Sequence, residues 1–252
     1  MSNSFKSSVR RFVYGLHPYS HLSPVGSRNT LFDMMMLDKA YKIMNRSHDA
    51  VHRSLIKRIG EKGYDQVLEV ACGTGWNVPT FRAEGLKYTG LDISDTAIAL
   101  AAQKFPENNY LNLPVAECGV LKDSSFDVVY NSAMLEHIGY CKEAMLELIR
   151  LAKYETYFVF FDGLTDADDH HIEFFPWTDK EISGEQKNIY GRKLILQNHI
   201  ERPDKGWYLN RYSRKKIAQW MGETPYEVEF LDSGNSSFIT IETVVVVRKS
   251  AK

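Results

Sequence analysis

Apolar positions near the start of the chain follow a helical repeat. From Leu31 to Ile59 they recur at steps of three and four residues, or simple sums of these steps, which places them on one face of a helix. Gly60 and Gly63 follow, and glycine commonly ends a helix. The pattern predicts an N-terminal arm with helices over residues 1–60.

After Asp65 short apolar runs alternate with helical stretches. Such alternation is typical of an α/β fold in which helices cover both faces of a parallel sheet. Ser94 stands where a helix cap would, ahead of an alanine-rich run. The predicted strands are Gln66–Ala71, Lys87–Asp92, Tyr110–Leu113, Phe126–Asn131 and Thr156–Asp162, and the predicted helices are Ser94–Lys104 and Cys141–Leu151.

The C-terminal pattern predicts a helix followed by a hairpin. Ser213 is a candidate cap for a helix over Arg214–Met221, which Gly222 ends. Two apolar runs follow, Tyr226–Leu231 and Phe238–Arg248, and their connection is too short for a crossover helix. We therefore expect these two strands to pair antiparallel.

The stretch between the sheet and this helix is too long for a plain loop in a compact domain. Open α/β sheets bind ligands at the carboxyl ends of their strands, so we interpret residues 163–212 as an insertion that caps that edge. The expected organisation is a single domain over residues 1–252. Its parts are the arm and helices (1–60), a ligand-binding core (65–162), the insertion (163–212) and the helix with its hairpin (213–252).

Composition and charge narrow the class of protein. Hydrophobic residues make up 44% and charged residues 25% of the 252 residues, which are ordinary globular values. No apolar run is long enough for a membrane helix. The formal net charge of −1 gives no overall basic field for nucleic acid or anionic lipid. Because the three cysteines form no CxxC pair, we expect free thiols and a cytoplasmic protein.

Residues 1–32 are basic and serine-containing, with no acidic residue. This composition is open to three interpretations: a mitochondrial transit segment, a solvated tail, or an arm packed over the main domain. In the third case Tyr14, His17 and Tyr19 are candidates for a lid that contacts the substrate.

The segment Val67–Gly75 reads V-L-E-V-A-C-G-T-G, a hydrophobic strand that contains an acid near its end and runs into small residues. Small residues let a backbone turn pass close beneath a ligand, which then meets the amino end of the next helix. A dinucleotide site would have a third glycine where this chain has Val78. The carboxylate of Glu69 would also repel a pyrophosphate, and it suits a cationic amino group instead.

Two further sequence elements follow the segment Val67–Gly75, and the spacing of the first of them indicates an acid that binds ribose. Asp92 ends the next predicted strand, 23 residues after Glu69. An acid about 20 residues on is the expected acceptor for two ribose hydroxyl groups. The run Ser125–His137 is a strand that enters a turn, which places Asn131 to His137 on the same rim.

The runs V-L-E-V-A-C-G-T-G, G-L-D-I-S and S-F-D-V-V-Y-N-S-A-M-L-E-H, in this order, resemble class I S-adenosylmethionine-dependent methyltransferases. The resemblance covers Asp65 to Asp162 and, more loosely, the helix and hairpin at the end. It implies a Rossmann-like sheet of seven strands, one of them antiparallel. It also implies methyl transfer from S-adenosylmethionine, with S-adenosylhomocysteine as the product.

By position, the resemblance implies that Glu69 anchors the turn and reaches the methionyl amino group directly or through water. Asp92 would accept hydrogen bonds from the ribose, and Ile93 would pack on the adenine. The family often has an acid at the position of Val115, where it binds the adenine amino group. With valine at this position, that group would be bound by the backbone at Ala116 or by Glu117. The implied cofactor-binding residues are Glu69, Ala71, Gly73, Gly75, Asp92, Ile93, Ala116, Glu117, Asn131 and Met134.

Catalysis of this kind depends mainly on positioning, because the leaving group of an in-line methyl displacement departs neutral. A general base is needed only for an acceptor that arrives protonated. His137, on the predicted rim, is either that base or a residue that shapes the pocket.

The acidic run Asp166–Glu173 lacks the spacing of a known zinc site, so we predict a solvated loop and no metal. If this loop folds over the site, His170 or His171 contacts the acceptor. Later in the insertion, aromatic residues lie among bases, with Trp207 and Arg211 as candidates to hold an anionic or planar acceptor. An ordinary solvated face is the alternative.

The sequence thus predicts methyl transfer to an O or N nucleophile of a small molecule, with no nucleic-acid or membrane partner. Two alternatives stay open: methylation of a protein or RNA, and a non-catalytic module that only binds the cofactor. The acceptor and the oligomeric state are not specified by any of these patterns.

Overall fold

A computed structural model describes residues 48–132, 134–160, 164–176, 206–236 and 241–249. The candidate lid residues Tyr14, His17 and Tyr19 lie outside this part of the chain, as do the first residues of the predicted N-terminal helix. The described part of that helix is α1, His48–Glu61.

Seven strands form one sheet in the order β3-β2-β1-β4-β5-β9-β8. The first five pair in parallel, and β9 is antiparallel to both of its neighbours. This is the seven-stranded arrangement with one antiparallel strand that the resemblance implied. The strands are β1 Gln66–Val70, β2 Lys87–Asp92, β3 Asn109–Asn112, β4 Phe126–Ser132, β5 Ala152–Phe160, β8 Glu227–Ser236 and β9 Ile241–Arg248.

Four further α-helices follow α1 among the described residues, and two have the caps expected from the sequence. The Ser94 hydroxyl accepts from the amide of Ala97 (2.8 Å), and the Ser213 hydroxyl accepts from the amide of Lys216 (3.3 Å). The helices are α2 Val78–Ala83, α3 Asp95–Lys104, α4 Cys141–Leu151 and α5 Arg214–Gly222, with 3-10 turns at Val115–Val120 and Leu135–His137.

Both faces of the sheet are buried, as predicted for this class. Along β5 the side chains alternate between two apolar clusters. Tyr157 and Val159 belong to the cluster that includes residues of α1 and α2, whereas Phe158 and Phe160 belong to the cluster that includes residues of α4 and α5. This period-two alternation is what a strand covered on both faces requires.

Two predicted boundaries were wrong by four residues or more. The strand β5 starts at Ala152 rather than Thr156, because ion pairs with Lys62 and Arg248 allow Glu155 to be buried inside it. The strand β8 runs on to Ser236 rather than ending at Leu231, and it stays paired with β9 across a bulge.

The described ends of the insertion form a separate two-stranded antiparallel sheet. Its strands are β6, His171–Pro176, and β7, Gly206–Arg211. They pair so that His171 faces Arg211 in the register. The two ends of the insertion are therefore held together at its base.

Candidate functional site

The loop that follows β1 is wound tightly at the carboxyl edge of the sheet. Three of its residues have left-handed backbone angles: Ala71 (φ 62°), Gly73 (φ 53°) and Gly75 (φ 76°). A Cβ at Gly75 would lie 3.1 Å from the Phe105 ring and 3.2 Å from Val78. Both the backbone conformation and the limited space therefore favour glycine at this position.

Glu69 ties this loop to the neighbouring strand. The residue is only 3% exposed, and its carboxylate accepts from the side-chain amide of Asn77 (2.6 Å) and from the Tyr88 hydroxyl (2.5 Å). Burial raises the pKa of Glu69 to about 7, although the two hydrogen bonds oppose this rise. In the part of the chain that the structure describes, no Lys or Arg forms an ion pair with Glu69.

Asp92 fixes the loop from the end of β2. It is 1% exposed, and its two oxygens accept from the amides of Gly73 (2.8 Å) and Ser94 (3.0 Å). A carboxylate has about four acceptor positions, so these bonds are compatible with hydrogen bonds from hydroxyl groups as well. The two acids singled out by their spacing are thus brought to one loop.

Asn131 lies at the end of β4, next to β1. Its amide nitrogen donates to the carbonyl of Val70 (3.0 Å), which fixes the orientation of the side chain. The other side-chain atom, Oδ1, is buried and has no hydrogen-bond partner among the described residues. A buried acceptor without a donor is costly, so this atom fits a donor brought by a ligand.

The expected adenine-side residues extend the same edge. Asn112 donates to the carbonyls of Asp92 (3.1 Å) and Ile93 (2.9 Å), and this joins the end of β3 to the end of β2. The 3-10 turn that follows carries Ala116 and Glu117, both exposed. Ile93 itself is half-buried.

The turn after β4 carries Met134 and His137, both half-buried. The amide of His137 donates to the carbonyl of Met134 (2.9 Å). From the end of the insertion, Asn210 donates to the carbonyl of Ile138 (2.6 Å) and Tyr212 donates to that of Leu135 (2.8 Å). The insertion thus reaches the edge of the sheet where the sequence predicts a cap.

The remaining acceptor candidates are distributed around the base of the insertion. His170 accepts from the amide of Ser213 (2.8 Å) and packs on Trp220, with 4.6 Å between ring centroids. Burial lowers its pKa. The prediction of a solvated loop was therefore wrong for His170, and His171, although exposed, lies in the strand β6. Arg211 is half-buried in β7, and the side chain of Trp207 lies outside the described residues.

The acidic stretch of the insertion meets the bases at the start of α5. Lys215 pairs with Asp168, and Lys216 pairs with Asp169 at 3.7 Å. Arg214 pairs with Asp232 at 2.7 Å. The bases at the start of α5 thus face acids of this chain rather than a binding site for an anionic acceptor.

No cluster of three or more His, Cys, Asp or Glu side chains suited to a metal ion occurs in the described ranges. None of the helices in those ranges is long and apolar enough to cross a membrane.

Sequence patterns missed two sets of supporting contacts: those of Asn77 and Tyr88 to Glu69, and those of Asn210 and Tyr212 to the turn after β4. Asn77 at the start of α2 is an ordinary helix-start residue, and Tyr88 is an ordinary strand residue. Nothing in the local sequence marks them as partners of Glu69, because the contacts form only when the strands pair.

Comparison with known proteins agrees with this geometry. Residues 68–160 match the family model of a methyltransferase domain. A ubiquinone biosynthesis O-methyltransferase of Rickettsia bellii (strain OSU 85-389) is 27% identical over 124 residues, 46% of this chain and 51% of that protein. A malonyl-(acyl-carrier protein) O-methyltransferase of Enterobacter lignolyticus (strain SCF1) is 26% identical over 112 residues, 44% of this chain and 43% of that protein. The chain aligns with about half the length of these curated relatives.

Solved structures share the fold over most of the chain. A magnesium protoporphyrin IX methyltransferase from Synechocystis PCC 6803, crystallised with bound SAH, has a TM-score of 0.55 at 15% identity and covers 97% of this chain and 100% of its own. A 1,6-didemethyltoxoflavin-N1-methyltransferase of Burkholderia thailandensis has a TM-score of 0.55 at 13% identity, covering 91% and 93%. The chain has the class I methyltransferase fold, and its residues 68–160 match the model of a methyltransferase domain.

Proposed function

We propose that the chain transfers the methyl group of S-adenosylmethionine to an O or N nucleophile of a small molecule. One observation carries this proposal: Glu69 and Asp92, both buried, hold the Gly73 loop between them at the carboxyl edge of the sheet. The cofactor supplies an electrophilic methyl group on a cationic sulfur, which departs neutral.

The residues on this edge fit the two polar ends of that cofactor. Asp92 offers carboxylate oxygens for ribose hydroxyl groups, and the left-handed loop leaves its backbone close to a ligand. Glu69 offers a buried carboxyl group where an amino group would be bound, and a bound cation would favour its charged form. Asn131 adds a buried Oδ1 acceptor that has no partner among the described residues.

The acceptor side is proposed to form around the turn after β4. We propose that His137 either removes a proton from the acceptor or shapes its pocket, and that residues 163–212 select the acceptor together with the N-terminal arm. Support comes from the hydrogen bonds of Asn210 and Tyr212 to this turn. The printed names of the relatives, which include ubiquinone biosynthesis and toxoflavin enzymes, favour a small acceptor.

We also propose a cytoplasmic location and no nucleic-acid partner. The formal net charge of −1 supports the second point. The described structure has Cys72, Cys118 and Cys141 as buried free thiols, and burial raises the pKa of Cys118 to about 12. Thiols of this kind are compatible with a reducing compartment.

Cofactor binding is tested by titrating S-adenosylhomocysteine into Asp92→Ala in a calorimeter. We expect at least a tenfold loss of affinity. Asp127→Ala is the matched control, because Asp127 also accepts from two backbone amides, those of Asp65 (2.9 Å) and Gln66 (3.1 Å), but at the opposite edge. Equal affinity in the two variants would contradict the ribose role.

The reaction is tested by incubating the protein with labelled S-adenosylmethionine and a heat-treated cell extract that contains metabolites, protein and RNA. Label in the small-molecule fraction is expected. Label in protein or RNA would favour a macromolecular acceptor. Binding of S-adenosylhomocysteine without any labelled product would favour a module that only binds the cofactor.

A further inference from the structure

Few hydrogen bonds within the turn Leu135–His137 hold it together. It is a three-residue 3-10 turn, and its own bonds are the amide of His137 to the carbonyl of Met134 (2.9 Å) and the amide of Ile138 to that of Leu135 (3.4 Å). Short 3-10 turns have poor hydrogen-bond geometry. The position of His137 therefore depends on what holds the turn from outside.

Two buried side chains hold it from the end of the insertion. Asn210 is 0% exposed and donates to the carbonyl of Ile138 (2.6 Å) and to the Tyr212 hydroxyl (2.9 Å). The Tyr212 hydroxyl lies within hydrogen-bond distance of the carbonyls of Leu135 (2.8 Å) and Ile138 (3.0 Å) and donates to one of them. The two side chains thus contact the backbone on both sides of His137, and they are joined to each other.

The ring of Tyr212 is fixed independently of its hydroxyl group. It packs edge-on against Phe160 at 5.8 Å and against His170 at 5.1 Å between ring centroids. Phe160 is the last residue of β5, and His170 lies in the first part of the insertion. The packing of the ring against Phe160 and His170 therefore fixes the position of the hydroxyl group beside the turn, as a positioning residue requires.

We propose that Asn210 and Tyr212 are positioning residues that clamp the turn carrying Met134 and His137, so that the end of the insertion sets the geometry of the acceptor side. This inference rests on the proposed function, because only that function makes this side of the site the acceptor side. The clamp itself is a property of the chain without ligand, and it is tested separately.

The test compares Tyr212→Phe with Tyr157→Phe. Tyr157 is equally buried, and its hydroxyl also donates one hydrogen bond, to Glu155 (2.8 Å), near the amino end of β5. Hydrogen exchange is measured for the amides of His137 and Ile138, and the His137 ring is followed by NMR, assigned with His137→Gln. In Tyr212→Phe we expect at least tenfold faster exchange and a shifted or broadened His137 signal, with neither change in Tyr157→Phe.

Unchanged exchange and an unchanged His137 signal in Tyr212→Phe would overturn the proposal. So would equal changes in both variants, because they would indicate general loosening. If Tyr212→Phe does not fold, Asn210→Leu removes the donors at similar volume and is measured in the same way. S-adenosylhomocysteine that fails to bind the unmodified protein would contradict the proposed function, whereas the exchange and NMR results would still decide the clamp.

Discussion

Glu69 and Glu155 are two glutamates of one sheet, each 3% exposed, in opposite surroundings. Glu69 accepts only neutral donors, from Asn77 and Tyr88, among the bonds described. Glu155 pairs with Lys62 and Arg248. Burial raises the pKa of both groups, but for Glu155 the hydrogen bonds from Lys62, Tyr157 and Arg248 outweigh it and lower the pKa.

The difference separates a structural carboxylate from one suited to a ligand. Lys62 and Arg248 neutralise the charge of Glu155, so the electrostatic interactions of this carboxylate already stabilise the folded chain. Glu69 has hydrogen bonds but no cationic partner in the described part of the chain, and it lies beside the loop that the family match covers. A cationic ligand would complete the surroundings of Glu69, and the same cation would add nothing at Glu155.

The largest expected effect is the pH dependence due to Glu69. Its pKa of about 7 in the folded chain exceeds the ordinary value of 4.5. Between these two pH values the folded state keeps a proton that the unfolded state has lost, so stability falls as pH rises. The fall is on the order of 3 kcal/mol. Urea unfolding from pH 4 to 8 should show it in the unmodified protein and not in Glu69→Gln.

A fall of the same size in Glu69→Gln would mean that another group causes it. Glu155 cannot produce it, because its lowered pKa gives stability that is present at neutral pH and is lost only as pH falls below its ordinary value of 4.5. The two carboxylates therefore act in different pH windows.

Glu155→Gln should cost about 2 kcal/mol of unfolding free energy at pH 7. It removes the carboxylate that pairs with Lys62 and with Arg248, although Arg248 keeps its pair with Glu229, and removing one partner of a buried pair is strongly destabilising. The value is reduced because the side chains of both cations are 29% exposed. Calorimetry should find the affinity for S-adenosylhomocysteine unchanged. A tenfold loss of affinity would contradict the assignment of Glu155 as structural.

Gly75→Ala should cost about 1–2 kcal/mol, because an alanine is strained at a φ of 76°. Gly63→Ala is the control: its φ is 72°, and nothing lies within 4 Å of the added Cβ. Both variants should lose stability in urea unfolding, Gly75→Ala more. Only Gly75→Ala should lose affinity for S-adenosylhomocysteine, and equal affinity in both would argue against a ligand at this loop.

The smallest effect is expected at the base of the insertion. Lys215 pairs with Asp168, and both side chains are exposed, so solvent screens the pair. Lys215→Ala should leave the melting temperature within experimental error. A clear fall would show that the ion pairs at this base hold the insertion in place more strongly than expected for exposed charges.

Sequence patterns were sufficient to predict the sheet, because each pattern lies close in the sequence to the strand, turn or helix that it indicates. The small residues from Ala71 to Gly75, the acid at Asp92 and the caps at Ser94 and Ser213 each lie within a few residues of the feature that they predict. These local patterns indicate the positions of β1 to β5 along the chain, except at the start of β5, where Glu155 lies inside the strand.

The supporting contacts were not predictable because they join distant segments. Tyr212 lies 77 residues from Leu135, and Asn210 lies 72 from Ile138. An asparagine or a tyrosine in a strand has many possible partners, and only the packed fold selects one. The same holds for Glu155, whose cations come from 93 residues away on either side.

A crystal structure of the chain grown with S-adenosylhomocysteine tests the proposed cofactor site most directly. We predict that the ribose hydroxyl groups lie within hydrogen-bond distance of Asp92 and that the amino group lies on the side of Glu69 and Asn131. Ligand bound elsewhere, or a loop at Gly73 that stays unoccupied under saturating ligand, would contradict the proposal.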